Sequence, residues 1–536
     1  MNKQLLLGAE AIAQSALDAG ISGVYAYPGT PSTEITEFIQ RSARVEQLAV
    51  RAAWATNEKT AFEAALGMSY AGKRSLVCMK HVGLNVAADA FMNASITGVH
   101  GGLVVVVADD PSMHSSQNEQ DSRVYGKFAM IPVLEPANQQ EAYEMTRQGF
   151  ALSEETGLPV MLRVPTRLSH SRAPIVRSDR EEQNKLQPSR EKGKWILLPA
   201  NARRNYQQLL DKQAKLVALS EASPYTRVIE AKGKKGVIAF GIAYNYVMEA
   251  ITTFDLPVAV LKIAQYPLPE KLITAFTEQY PDIMIAEEGY PVYEELLKGY
   301  FGNEQFRGRL DGALPRTGEL SPNLLAEALG VDTGNGREIP EIVKGRPPML
   351  CKGCSHSDLF DALNKVMETY PDRHVFGDIG CYTLGALPPH NIIDTCVDMG
   401  AAITMAKGAA DAGIRPAVCV IGDSTFTHSG ITGLLDAVND RSPLTVIISD
   451  NGTTAMTGGQ DSAGTGRFHD ICKGVGVEEE HIRSIIPLKK NFDENVAVLK
   501  EELEYEGVSV IISQRECVQT AKKSRKREKR QKEAMQ

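Results

Sequence analysis

Short apolar runs rich in β-branched residues recur along the chain, separated by stretches of helical character, and this alternation predicts parallel sheets covered by helices on both faces. In the first third, Gly23 to Tyr27, Ser75 to Met79, Leu103 to Ala108 and Pro159 to Val164 are predicted strands. Ala61 to Tyr70 is predicted helical, because Ala, Leu, Met and Glu dominate it and Gly67 is the one tolerable breaker before Gly72. A charged, Pro-containing stretch from Ser178 to Lys194 predicts a linker. A second α/β unit follows, with strands at Gly236 to Phe240, Pro257 to Ile263 and Asp282 to Ala286, and a long connecting helix around Asn205 to Leu219 before it. Pro and Gly crowd again between Gly334 and Pro348 and place a second boundary there. The last unit is predicted to carry strands at Val375 to Gly377, Ala417 to Gly422, Leu444 to Ser449 and Gly507 to Ser513.

Composition narrows this picture. With 536 residues, of which 43% are hydrophobic, the chain is long enough for three or four domains, each with its own core. The formal charge is −8, but the last sixteen residues hold eight Lys and Arg against two Glu, so the rest of the chain carries −14 and this terminus +6. An acidic body argues against a dedicated nucleic-acid binder. No run approaches the length of a membrane span and the apolar run in the opening residues is too short for a signal peptide, so the expected location is cytoplasmic, away from membranes. Eight cysteines in so long a chain do not describe a disulfide framework. Those that cluster are metal or redox candidates.

One such chemistry is visible at strand ends. The strand ending at Ile421 runs into Gly422-Asp423-Ser424, which sets a carboxylate at the rim where parallel α/β folds bind ligands. About twenty residues later the strand from Leu444 runs into Asp450-Asn451-Gly452, an interval that fits one crossover helix. Asp423, the Asn451 amide oxygen and the Thr453 carbonyl are hard oxygen ligands of the kind magnesium takes while it also holds a diphosphate. Gly458-Gly459 would let the backbone pass close to that ligand.

These residues resemble the thiamine diphosphate motif, a Gly-Asp pair followed by an Asn pair, the first Asn being Asp450 here. The resemblance implies a second carboxylate, at the cofactor's aminopyrimidine ring. Asn57 to Gly67 resembles the helix start that supplies it, with Glu58 nine residues before Gly67 and Glu63 as a surface acid. By itself an acidic residue in a first helical turn only complements the helix dipole.

Further segments resemble the 2-oxoacid:ferredoxin oxidoreductase family. They are Tyr27-Pro28-Gly29-Thr30-Pro31-Ser32, Thr457-Gly458-Gly459-Gln460 after the metal motif, and Cys351-Lys352-Gly353-Cys354 at the head of the last unit. Within the family the pattern is most similar to the alpha subunits of indolepyruvate:ferredoxin oxidoreductases, through Lys80 to Asn85, Gly377 to Gly385 and Thr453 to Gly458, over roughly residues 1 to 517. The resemblance implies an α/β thiamine diphosphate-binding fold, with two doubly wound parallel-sheet domains flanking a transketolase C-terminal-like domain. The expected domains are 1–177 for the pyrimidine half, 195–333 for the transketolase C-terminal-like part, 349–517 for the diphosphate half and 518–536 as a basic tail. It implies oxidative decarboxylation of an aryl 2-oxoacid such as indolepyruvate, with the acyl group passed to coenzyme A and electrons to ferredoxin. The alternative is a non-oxidative decarboxylase or carboligase. Thr30 would contact the substrate carboxylate, Glu58 would activate the cofactor, and His81 would serve as hydrogen-bond donor or acid/base, the alternative for it being a surface histidine. Cofactor contacts are implied at Gly377, Asp378, Gly380, Cys381, Tyr382, Gly422, Asp423, Ser424, Asn451, Thr453, Thr454, Ala455 and Met456. A small beta subunit is the implied partner, in an α2β2 assembly.

A single CxxC is half a zinc site, a redox pair or a tight turn. The family resemblance adds Cys381 and Cys517 to Cys351 and Cys354 as the four thiolates of one 4Fe-4S cluster, and leaves Cys78, Cys396, Cys419 and Cys472 as core residues. The family's alpha subunits continue into a ferredoxin-like domain with two further cysteine runs. No cysteine follows Cys517 here, so those two clusters are expected to be missing from this polypeptide, with electrons leaving through another protein or by a shorter route.

Overall fold

The structure is a computed structural model that describes residues 3–46, 48–187, 195–301, 306–315, 317–334, 339–345, 349–370, 374–396, 399–411 and 413–523. The chain divides into two compact units, Met1–Glu338 and Ile339–Gln536.

The first unit contains two large sheets. Read across the larger, the strands are Gln265–Tyr266, Val133–Leu134, Val160–Pro165, Leu103–Asp109, Ser75–Lys80, Gly23–Ala26 and Arg51–Trp54, all parallel apart from the first pairing. Both faces are buried, which is why its central strands read as unbroken apolar runs. Leu76 and Cys78 enter one core while Val77 and Met79 enter another, and Val104 and Val106 divide from Val105 and Val107 in the same way. The second sheet orders Phe306–Arg307, Asp282–Ala286, Lys235–Phe240, Ala259–Ile263 and the antiparallel Arg227–Ile229. It shares both hydrophobic clusters with the first sheet. Each fully buried Val, Ile, Leu or Phe contributes roughly 1.5–3 kcal/mol, so this common core is the main apolar bond between the two sheets.

A buried ionic network joins the sheets as well. Arg163, on the strand Val160–Pro165, pairs through Nε with Asp109 at 2.8 Å and through Nη1 with Glu135 at 2.5 Å. Arg123 pairs with Asp121 through Nε (2.8 Å) and with Glu287, just past the strand Asp282–Ala286, through Nη1 (3.0 Å). Both guanidiniums are fully buried. Burial pushes Glu287 and Glu288 up to about 7. Nothing in the residue pattern betrays this network, because each of its members reads as a surface charge when taken alone.

The second unit is built on one all-parallel sheet, ordered Val375–Gly377, Val418–Gly422, Leu444–Asp450, Val508–Gln514 and Ile482–Ile485. The expected α/β class is thus the observed one, and the predicted strands lie within two residues of the observed bounds. Arg51–Trp54 and Ile482–Ile485 are additional strands, as is the antiparallel pair Lys3–Leu7 with Arg172–Val176. The expected linker is described over 178–187, where it is tied down: Glu181 N–H donates to the Asp18 carbonyl at 2.7 Å and Gln187 N–H to that of Ala71 at 2.9 Å. The remainder of that stretch, parts of the Gly334 to Pro348 boundary and residues 524–536 of the basic tail lie outside the described residues. Cys78, Cys419 and Cys472 are core residues as expected, whereas Cys396 is exposed. It follows a segment whose buried Ile392 and Ile393 take the interior, leaving the cysteine beyond them.

Candidate functional site

In the first unit, three successive strand ends of the larger sheet carry the candidate residues. Tyr27 to Ser32 follows Gly23–Ala26, Lys80 and His81 close Ser75–Lys80, and Asp110 to Asn118 follows Leu103–Asp109. The Thr30 carbonyl accepts from Ser115 Oγ at 3.4 Å, and Gly29 N–H donates to Thr33 Oγ1 at 2.9 Å. These bonds fold the loop onto its neighbour.

Glu58 opens the helix Glu58–Tyr70, whose start is capped by Asn57: its Oδ1 accepts from Thr60 N–H at 2.9 Å. The carboxylate is only 5% exposed, whereas Glu63 is on the surface and pairs with Lys59 at 2.5 Å. What lets Glu58 lie where it does is Gly83. A methyl group there would stand 2.5 Å from Glu58 Oε1 and 2.7 Å from its Cγ. Replacing Gly83 by alanine is therefore expected to push the carboxylate aside at little cost to stability, since a side chain and not the backbone must give way. A displacement near 1 Å costs about 100-fold in rate, so the Gly83→Ala enzyme should retain its melting temperature but lose most of its kcat.

His81 is 1% exposed, which removes the surface-histidine alternative. Its Nε2 lies 3.2 Å from the Asn118 carbonyl. A carbonyl only accepts, so Nε2 carries the proton, and burial lowers the pKa of the ring and keeps it neutral. Nδ1 is then a bare, buried lone pair with no partner among the described residues. The group presents an acceptor to a ligand.

In the second unit the chemistry gathers at the ends of Val418–Gly422 and Leu444–Asp450. Asp423 Oδ1 accepts from Ser424 N–H at 2.7 Å, and Oδ2 from Thr453 N–H at 3.0 Å. The same Thr453 N–H reaches Asn451 Oδ1 at 3.2 Å, so the two candidate ligand oxygens converge on one point. Asp423 and Asn451 are nearly enclosed. Burial, with Asp450 beside it, pushes Asp423 up to about 7. A carboxylate that loses its water without gaining a cationic side chain, beside an amide oxygen, has the chemistry of a divalent-cation site. Ser424 and Thr454 hydroxyls bond at 2.7 Å, and Thr453 Oγ1 donates to the Gln460 carbonyl at 2.9 Å. Gly458 and Gly459 have φ of 124° and 96°, so the turn between them requires glycine. Ala455 and Met456 lie on this loop, the latter 54% exposed.

The Gly377 to Tyr382 segment is held by Asp378. Its Oδ2 accepts from the N–H groups of Gly400 (2.9 Å) and Ala402 (3.1 Å), and its Oδ1 accepts from the Tyr382 hydroxyl. Gly380 N–H bonds Thr383 Oγ1 at 3.1 Å, and the Tyr382 ring lies so close to Gly422 that a methyl there would meet it at 2.8 Å.

Cys351, Cys354, Cys381 and Cys517 come together in this unit. Burial pushes Cys381 up to about 12, and Cys354, Cys517 and Cys351 add to the rise, being near enough for their charges to be felt. Gln519 Nε2 donates to Cys351 Sγ at 3.2 Å, and His356 Nδ1 lies 3.1 Å from Cys354 Sγ. Cys517 N–H donates to the Asn451 carbonyl at 3.1 Å, which sets the fourth cysteine against the candidate metal loop. Residue types alone did not single out Lys80, His356 or Gln519. A Lys-His pair at a strand end was the one available signal.

Comparison with known proteins gives both units counterparts. Residues 14–214 match the family described as pyruvate flavodoxin/ferredoxin oxidoreductase, thiamine diphosphate-binding, and residues 378–513 match the C-terminal TPP-binding domain of thiamine pyrophosphate enzymes. The chain is 39% identical to the indolepyruvate oxidoreductase subunit IorA of Archaeoglobus fulgidus, over 98% of this chain and 88% of that one. It is 39% identical to the Thermococcus kodakarensis subunit (96% and 85% covered) and 37% to that of Methanothermobacter thermautotrophicus (96% and 87%). Among solved structures, it is similar in fold to a 2-oxoglutarate:ferredoxin oxidoreductase from Magnetococcus marinus, with a TM-score of 0.51 at 17% identity over 61% of this chain and 64% of that one. With identity at this level across nearly the whole of both chains, the protein belongs to the indolepyruvate oxidoreductase subunit IorA family of thiamine diphosphate-dependent oxidoreductases.

Proposed function

We propose that this chain is the catalytic subunit of an enzyme that oxidatively decarboxylates aryl 2-oxoacids, indolepyruvate among them, to aryl-acetyl-coenzyme A, with electrons passed to ferredoxin. The observation that carries the reading is the convergence of Asp423 and Asn451 oxygens on one N–H in a chain of this family. Asp423, Asn451 and the Thr453 carbonyl would hold Mg2+, with Gly422, Ser424 and the Gly377 to Tyr382 and Thr453 to Met456 segments around the cofactor's diphosphate end. Glu58 would hydrogen-bond the aminopyrimidine ring, and Thr30 would contact the substrate carboxylate. When bound, thiamine diphosphate supplies the electron sink that lets the carboxylate carbon leave as carbon dioxide. His81 Nδ1 accepts a hydrogen bond from the reacting molecules, a task its tautomer suits better than proton donation.

Cys351, Cys354, Cys381 and Cys517 would hold one 4Fe-4S cluster, a reading supported by their grouping and by polar side chains at two of the sulfurs, Gln519 donating to Cys351 and His356 beside Cys354. We assign the domains as 1–177, 195–333 and 349–517, with 518–536 as a basic tail. A small beta subunit completes the enzyme in an α2β2 assembly, and the reaction belongs to the cytoplasm. None of the described helices is long and apolar enough to cross a membrane.

Strictly anaerobic purification of the chain with its beta subunit tests this reading. The expected result is about four iron and four sulfide per chain, lost in Cys354→Ala, and coenzyme A-dependent ferredoxin reduction on adding indolepyruvate or phenylpyruvate. Release of free aldehyde with no acceptor reduction would instead select the non-oxidative decarboxylase.

A further inference from the structure

We propose that Lys80 is the cationic anchor for the substrate's carboxylate, and so the residue that makes the site selective for 2-oxoacids over neutral carbonyl compounds. The inference rests on the aryl 2-oxoacid reading and names a residue which that reading does not use.

Lys80 ends the strand Ser75–Lys80, near the centre of the larger sheet, with the Tyr27 to Ser32 loop on one side and the Asp110 to Ser115 segment on the other. It sits at the carboxyl end of a parallel strand, where such sheets bind ligands. Its stem packs against Gly29, next to Thr30: a methyl on Gly29 would stand 3.2 Å from Lys80 Cδ and 3.3 Å from its Cγ. The residue is 9% exposed. Burying an ammonium is costly unless an anion or a full set of acceptors replaces its water.

The protein supplies little of either. The ammonium donates to the Ser115 carbonyl at 3.2 Å, and Lys80 forms no ion pair among the described residues. Three donors with one protein acceptor leave capacity for a ligand. The two nearby acids act on it only at longer range, and the pKa of Lys80 is lowered by burial, with Asp110 and Glu58 opposing the shift. Asp110 is engaged elsewhere. Its Oδ2 accepts from Ser115 N–H (2.8 Å) and Ser116 Oγ (2.8 Å), and its Oδ1 from Thr166 Oγ1 (2.7 Å). Glu58 is committed to the cofactor ring under the proposed function. A small anion arriving beside Thr30 would restore what burial removed. A 2-oxoacid carries such a charge next to its reacting carbon, and loses it as carbon dioxide, so the anchor holds the substrate only until that bond breaks.

The probe is 3-phenyllactate, which has the substrate's carboxylate and aryl group but no keto carbon, compared with its neutral amide by calorimetry on the thiamine diphosphate- and Mg2+-loaded enzyme with its beta subunit. The parent is expected to prefer the acid over the amide by at least thirtyfold, the lower end for a buried charge-assisted contact. Lys80→Met should erase that preference and raise KM for phenylpyruvate by a similar factor, with cofactor affinity and melting temperature unchanged. Lys80→Gln, which keeps length and one polar donor group but no charge, reads the same preference should the methionine variant fail to fold. An acid-over-amide preference that survives either substitution, or that the parent lacks, overturns the anchor. A parent that binds the acid selectively through Lys80 yet turns over no aryl 2-oxoacid would overturn the proposed reaction and leave the anchor standing.

Discussion

Replacing Glu58 by glutamine is expected to lower kcat by about 10²–10⁴-fold, the usual worth of a positioned proton-transfer group, while cofactor and Mg2+ still bind. The substitution keeps the size of the side chain and its fit against Gly83, so the helix start and its Asn57 cap are undisturbed. What is lost is the negative charge and the ability to share a proton with the aminopyrimidine ring. Fluorescence titration with thiamine diphosphate separates the two effects: unchanged affinity with collapsed turnover is the expected pair, and near-normal turnover would remove Glu58 from the chemistry altogether. The Gly83→Ala enzyme should resemble it in losing turnover while retaining the carboxylate, which separates the position of the charge from its presence.

Asp423→Ala should abolish Mg2+-dependent cofactor binding, with apparent affinity falling by a hundredfold or more, as when one partner of a buried charge pair is deleted. The pH dependence has a definite sign. In the metal-free chain the Asp423 carboxyl titrates near 7, above its ordinary range, because burial disfavours the charged form. Its protonated form is the better tolerated one, so in the metal-free chain Asp423's own contribution to stability is fully present below the unfolded carboxyl range near 4 and is lost as pH rises from there through about 7. A divalent cation must displace that proton. Cation affinity should then rise about tenfold per pH unit below 7 and level off above it. Isothermal titration of Mg2+ and thiamine diphosphate between pH 5.5 and 8.5 reads this directly, with proton release seen as a buffer-dependent heat. Asp423→Asn should flatten the profile, and an unchanged profile in that variant would assign the titration to another group.

How much of this was legible in the sequence depends on whether a residue's partner is local. The strands around Val104, Ile238 and Ile447 announce themselves because both faces are buried and most positions are apolar. Arg51-Ala52-Ala53-Trp54 is a strand of the sheet that holds Val104, yet it is short, edge-placed and free of β-branched residues, so it carries no such signal. The candidate metal loop was readable since Asp423 and Asn451 each directly follow an obvious strand. The state of His81 was not, because it is decided by the Asn118 carbonyl, 37 residues away. Lys80 has the same character: as a residue type it belongs to the surface, and only the stacking of three strand ends encloses it. The described part of the expected linker shows the opposite failure, for its charged composition suggests solvent while Arg74 holds Glu181 down.

The buried guanidinium forks of the first unit bear on how much error the site tolerates. Apolar faces can slide a fraction of an ångström past one another with little loss, whereas a two-pronged bond to a carboxylate fails over the same distance. Arg123 clasps Asp121 and reaches the Tyr290 carbonyl at 3.0 Å, and the Tyr290 hydroxyl returns to the Glu119 carbonyl at 2.7 Å. The loop so clamped is the one whose next residue back, Asn118, dictates which nitrogen of His81 is bare. The second sheet therefore behaves as a jig for the first: through Tyr290 it holds the segment whose carbonyl sets the protonation of a candidate catalytic group.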